Sequence, residues 1–142
     1  MQDVVQKHNK ESNYLVESAG IDSWFLGDDP DPRMKKIANQ HGIFMRHKAR
    51  LFQDNDFYQY DYIFAVNHDI YSYLLSRVPT KEMQNKIFLA TDFSTLYKDE
   101  EIPDPYYGNQ INFEKVFTMI KETASSIFDY LENKVEKKAT GQ

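Results

Sequence analysis

The chain has 142 residues, 41% of them hydrophobic and 27% charged, with a net charge of -5 and no cysteine. That length holds one domain with one core, and the acidic balance argues against DNA or RNA as partner, because nucleic-acid affinity needs a concentrated basic surface. The missing cysteine excludes disulfides, thiolate metal sites and a cysteine nucleophile, and no apolar run approaches the length of a bilayer crossing, so no membrane partner is expected.

Residues 2 to 9 have the spacing of the tail of an amphipathic helix, with Val4, Val5 and His8 on adjacent faces and no capping residue before them. A secretory signal would need a basic start followed by an apolar stretch, and this start is polar, so a cytoplasmic location is expected. Tyr14-Leu15-Val16, ending in Ser18-Ala19-Gly20, reads as a buried strand leaving its sheet into a turn. Residues 27 to 33 combine turn residues with a helix start, Asp31 as N-cap and Pro32 at the first helical position. The helix that follows carries Met34, Ile37 and Ala38 on one face and ends at His41-Gly42, with glycine at the C-cap site. A connector from 43 to 51 contains His47, Lys48 and Arg50.

Tyr62-Ile63-Phe64-Ala65-Val66 is a continuous apolar run, the pattern of a parallel strand buried on both faces. Ile70, Tyr73 and Leu74 then recur at helical spacing, Pro79 closes that helix, and Lys86-Ile87-Phe88-Leu89-Ala90 supplies a further strand. This alternation predicts an α/β sandwich. A long polar connection from 91 to 111 leads into the longest helix, where Phe113, Val116, Phe117, Ile120, Ala124, Ile127, Leu131 and Val135 mark the face that covers the sheet. Residues 137 to 142 read as a frayed tail, and residues 1 to 142 as a single domain without repeats.

The most specific segment is Asp104-Pro105-Tyr106-Tyr107-Gly108, preceded by Pro103. The two prolines fix the backbone on either side of Asp104 and hold one carboxylate on a stiff turn beside two aromatic rings. The arrangement suits a general acid facing an aromatic ligand, and it equally suits a rigid surface turn capping the last helix.

With this segment in place the chain resembles the low-molecular-weight protein tyrosine phosphatases, whose general-acid loop reads like Asp104-Pro105-Tyr106-Tyr107-Gly108 just before the last helix. Ser18-Ala19-Gly20, Asp22-Ser23-Trp24, Asp31-Pro32-Arg33, His41-Gly42-Ile43 and His47-Lys48-Ala49-Arg50 fall in that family's order and spacing, from about residue 13 to residue 135. The resemblance implies a three-layer α/β sandwich around a central parallel sheet. It also implies hydrolysis of a phosphotyrosine protein or another aryl phosphate in two steps, without metal or cofactor. A cysteine thiolate attacks phosphorus while Asp104 protonates the departing phenolate, and Asp104 then takes a proton from the water that releases phosphate. Trp24, Tyr106, Tyr107 and Phe25 would wall the slot for the aromatic ring, ordinary packing being the alternative for each. Ser18 and His47 would brace the phosphate loop, the alternative for His47 being a solvated side chain in a basic connector.

Two departures qualify what the resemblance implies. The family usually has aspartate where this chain has Asn67-His68, so the charged partner that the resemblance would give His47 is not expected here. The family's cysteine, five residues, arginine and serine should lie before residue 1, together with the first, central strand, and neither is in the sequence. No other segment replaces a loop of consecutive amides around a phosphate with a thiolate and a guanidinium. These absences read as a truncation by roughly 25 residues, the length of a strand, a loop and two helical turns. The chain as it stands is expected to be inactive. The competing readings are a non-catalytic pseudophosphatase that binds a phosphorylated partner and, with less support for want of redox cysteines, a relative of arsenate reductases on the same fold.

Overall fold

Helices α1 (Gln2–Lys7), α2 (Pro32–Gln40), α3 (Asp56–Gln59), α4 (His68–Arg77) and α5 (Gln110–Ala139) surround strands β1 (Ile63–Ala65) and β2 (Ile87–Leu89) in a computed structural model. It describes residues 1–7, 14–21, 32–43, 50–103 and 110–139. The strands pair in parallel, Ile63 opposite Ile87, Phe64 opposite Phe88 and Ala65 opposite Leu89. Successive side chains on a strand point to opposite faces. Ile63, Ala65 and Ile87 accordingly pack with Phe57 of α3 and Leu74 of α4, while Phe64 packs with Ala90 and with Ile127 and Leu131 of α5. The predicted sandwich, with helices on both faces of a parallel sheet, is therefore present, and among the described residues the sheet has two strands.

The strand expected at Tyr14-Leu15-Val16 does not form. Residues 14 to 19 join no ladder, and the first bridge is at Gly20, parallel to Leu51. A strand exists only by hydrogen bonding to a neighbour, and the neighbour that the family resemblance supplies is not in this sequence. The apolar side chains are used differently: Tyr14 and Val16 pack beside Val4, Val5, Ala124 and Phe128, which ties α1 and this segment to α5. Leu15, pointing the other way, is exposed.

Tyr14 is the most perturbed titratable group of this contact. Its hydroxyl donates to Glu132 Oε1 at 3.0 Å. Burial, then the hydrogen bond and negative charge of Glu132, push its pKa up to about 12 from 10.0, since each disfavours the phenolate. A pKa raised by folding adds stability that is fully present below the unfolded value of 10.0 and is lost as pH rises towards 12. A phenolate absorbance titrating near pH 12 is expected, and Tyr14→Phe should remove it.

The helix ends follow the sequence closely. Pro32 opens α2 as expected, its missing amide being one that a first turn leaves unpaired anyway. At the other end Gly42 has φ +77 and the Ile43 amide donates to Ala38 O at 2.8 Å. This is the six-residue closure that needs a left-handed residue after the helix, and it turns Ile43 back onto the core. Asn67 caps α4, its side chain accepting from the Ile70 amide at 2.8 Å. On α5 the buried stripe is Phe113, Val116, Phe117, Met119, Ala124, Ile127, Phe128 and Leu131. Ile120, expected in that stripe, is 41% exposed and lies at its edge, while Met119 takes the buried place. The N-cap expected at Asp31, residues 8 and 9 of the first helix and residues 140 to 142 of the tail lie outside the described residues.

Candidate active site

Six of the seven residues expected at the site lie in three segments outside the described residues: Trp24 and Phe25 in 22–31, His47 in 44–49, and Asp104, Tyr106 and Tyr107 in 104–109. Ser18 is described and is exposed. The structure describes the framework from which these segments spring, and that framework joins their roots in pairs.

The first pair is Gly20, where the chain enters 22–31, and Arg50, where it leaves 44–49. The Gly20 amide donates to Arg50 O at 2.9 Å, and the Phe52 amide donates to Gly20 O at 2.8 Å. The Arg50 side chain reinforces this crossing: Nη1 donates to Asp56 Oδ2 at 3.0 Å and Nη2 to Glu17 Oε2 at 3.4 Å. Asp56 is 6% exposed, and a carboxylate so buried needs partners to offset its lost hydration. It has a second one in the Gln53 amide, at 2.8 Å. The Tyr60 hydroxyl donates to Glu17 and completes the cluster. The composition and motifs of the chain give no sign that Glu17, Arg50 and Asp56 meet, since the long-range partner is 33 residues distant.

The second pair is Ile43, where the chain enters 44–49, and Ile102, two residues before Asp104. Both pack in one cluster with Ile37 and Ala38 of α2 and Phe113, Val116, Phe117 and Met119 of α5. His41, at the end of α2, stacks on Phe117 with ring centroids 4.6 Å apart, and its Nε2 is 3.5 Å from Glu114 Oε2.

The approach to Asp104 is also tied to the sheet. The Ile102 amide donates to Val66 O at 2.9 Å, immediately after β1. The His68 amide, first in α4, donates to Glu101 Oε1 at 2.8 Å. The Thr91 hydroxyl donates to Glu100 O. Residues 100 to 102 are thereby fixed at the carboxyl end of β1, the end of a parallel strand at which open α/β sheets place their ligand sites. Asn67, which stands where the resemblance leads one to expect an aspartate, has its side-chain oxygen engaged by the Ile70 amide. The apolar spacing that starts at Ile70, with an asparagine three residues before it, was the readable signal for that cap. Among the described residues no group of three or more histidine, aspartate or glutamate side chains is placed to hold a metal ion.

The family model described as low molecular weight phosphotyrosine protein phosphatase matches residues 1–139 of the chain. The low molecular weight phosphotyrosine protein phosphatase of Sus scrofa is 33% identical over 115 residues, covering 80% of this chain and 72% of that protein. The low molecular weight protein-tyrosine-phosphatase PtpA of Staphylococcus aureus is 33% identical over 117 residues, covering 82% of this chain and 71% of that one. Among solved structures, a protein tyrosine phosphatase from Entamoeba histolytica with Hepes in its active site superposes with a TM-score of 0.88 at 35% identity, covering 93% of this chain and 84% of that chain.

Proposed function

Because the chain belongs to the low molecular weight phosphotyrosine protein phosphatase family, we propose that residues 1 to 142 form one phosphatase-like domain that carries the acid and the substrate wall but not the nucleophile. In this reading Asp104 is the general acid. Trp24, Tyr106, Tyr107 and Phe25 enclose the aromatic ring of a phosphotyrosine side chain, and Ser18 and His47 brace the loop that holds its phosphate. The observation that carries the reading is the Ile102 amide on Val66 O. It brings the root of the Asp104 segment to the carboxyl end of β1, where open α/β sheets place their ligand sites, and this supports the reading of Asp104 as the acid.

The sequence holds no cysteine, and the family's reaction passes through an S–P bond. The purified 142-residue chain is therefore expected to release no phosphate from phenyl phosphate above the uncatalysed rate. Turnover independent of added thiol and abolished by Asp104→Ala would overturn this. The same absence fits a second reading, a pseudophosphatase that holds a phosphotyrosine partner without cleaving it. Saturable binding of a phosphotyrosine peptide that is lost in Trp24→Ala would favour it. No helix among the described residues is long and apolar enough to cross a membrane, and the cytoplasm is the compartment we propose.

A further inference from the structure

We propose that Glu101 is the positioning residue of the Asp104 loop: by capping α4 from a distance, its carboxylate fixes the stretch of backbone from which the acid springs. The proposal rests on the reading of Asp104 as general acid and adds what holds that acid in place. The first turn of a helix leaves its amides without partners inside the helix. In α4 two of them are taken by side chains, Ile70 by the neighbouring Asn67 and His68 by Glu101, which lies 33 residues further along the chain. A carboxylate is the favoured acceptor there, because the aligned peptide dipoles place partial positive charge at a helix N-terminus. One residue on, the Ile102 amide donates to Val66 O at 2.9 Å and the Ile102 side chain is 9% exposed in the α5 cluster. The next residue is Pro103, whose ring fixes φ. Two anchored residues followed by a proline leave little torsional freedom before Asp104.

Glu101 acts from the surface. A cleft of about 250 Å³ lined by Glu100, Glu101, Pro103, Lys115, Val116 and Met119 opens beside it. Substitution there opens no cavity in the core, so a local effect is separable from a general loss of stability. The neighbouring Glu100 provides the control, because the bonds described at that position are made by its backbone, to Tyr97 O and from the Thr91 hydroxyl.

The test is amide hydrogen exchange on the full chain, read at His68 and Ile102, with chymotryptic cleavage after Tyr106 and Tyr107 as a second measure. Glu101→Ala is expected to speed exchange at both amides, and the cleavage, by about 2- to 30-fold, the range of a lost helix cap, while amides in the middle of α5 keep their rates. Glu101→Gln keeps an acceptor oxygen and loses only the charge, so it should stay within about fivefold of the parent and below Glu101→Ala, while Glu100→Ala should stay within about twofold. Unchanged rates at Ile102 in Glu101→Ala overturn the proposal. So does an equal acceleration in Glu100→Ala, in Glu101→Gln or throughout α5. None of these readings uses turnover, so the tether and the acid role of Asp104 stand or fall separately.

Discussion

Asp104→Asn, in this chain extended by a family-like N-terminal strand and phosphate loop, is expected to lower turnover of phenyl phosphate by about 10²- to 10⁴-fold. Phenolate is a poor leaving group and needs a proton as the P–O bond breaks. Asparagine is close to aspartate in shape and can still accept hydrogen bonds through its oxygen, but it has no proton of suitable acidity to give. Nitrophenyl phosphate departs as a stabilised anion, so its turnover should fall much less. The comparison between the two esters separates chemistry from folding, since a carboxylate that only shaped the turn would depress both equally. Equal losses, or no loss on either, would remove Asp104 from the acid role and leave the fold untouched. Pro103 and Pro105 make the substitution a clean one, because they restrict the backbone on both sides whatever stands between them.

Phe113→Ala should be among the most costly single changes for stability, at about 3 to 5 kcal/mol. Phe113 is 0% exposed and lies in the cluster that joins α2, Ile43 and Ile102 to α5. Removing its ring loses the transfer free energy of the buried atoms and leaves a cavity that the close-packed cluster around it fills only in part. Against a typical domain stability of about 5 to 15 kcal/mol the loss is large. Denaturant unfolding of the variant should show a lower midpoint, and Phe113→Leu, which keeps most of the volume, should recover much of the difference. A second consequence follows from the position. Ile43 and Ile102 are the roots of the segments that hold His47 and Asp104, so Phe113→Ala in the extended protein should also raise the KM for an aryl phosphate. A variant with parental stability would show that the cluster repacks without the ring.

Local chemistry made much of the fold legible. The apolar runs at 62–66 and 86–90 contain β1 and β2, because a parallel strand covered by helices on both faces takes apolar side chains in succession, although Val66, just past the end of β1, is exposed. Pro32 and Gly42 fixed the ends of α2 through their own torsion angles, which need no tertiary partner. The spacing of α5 located its buried face from Phe113 to Leu131 through the helical period, except at Ile120, where the width of the covered stripe depends on what lies opposite; the side chain of Val135 lies outside the described residues. The expected strand at Tyr14-Leu15-Val16 failed because apolar composition does not make a strand without a hydrogen-bonding neighbour.

The site divides in the same way. Asp104 between its prolines, with Tyr106 and Tyr107 behind it, is a local pattern, and the order of such patterns along the chain identified the family before any contact was known. The absence of a cysteine was likewise a matter of sequence alone and determines that these 142 residues cannot supply the family's thiolate. The meeting of Glu17, Arg50 and Asp56, the packing of Ile43 against the same cluster as Ile102, and the reach of Glu101 to the His68 amide were decided by tertiary structure. Each joins residues whose types, taken singly, do not say which distant residue they will meet. Their partnership depends on how β1, α4 and α5 stack, and stacking is settled by the summed burial of the whole core, which no short stretch of sequence contains.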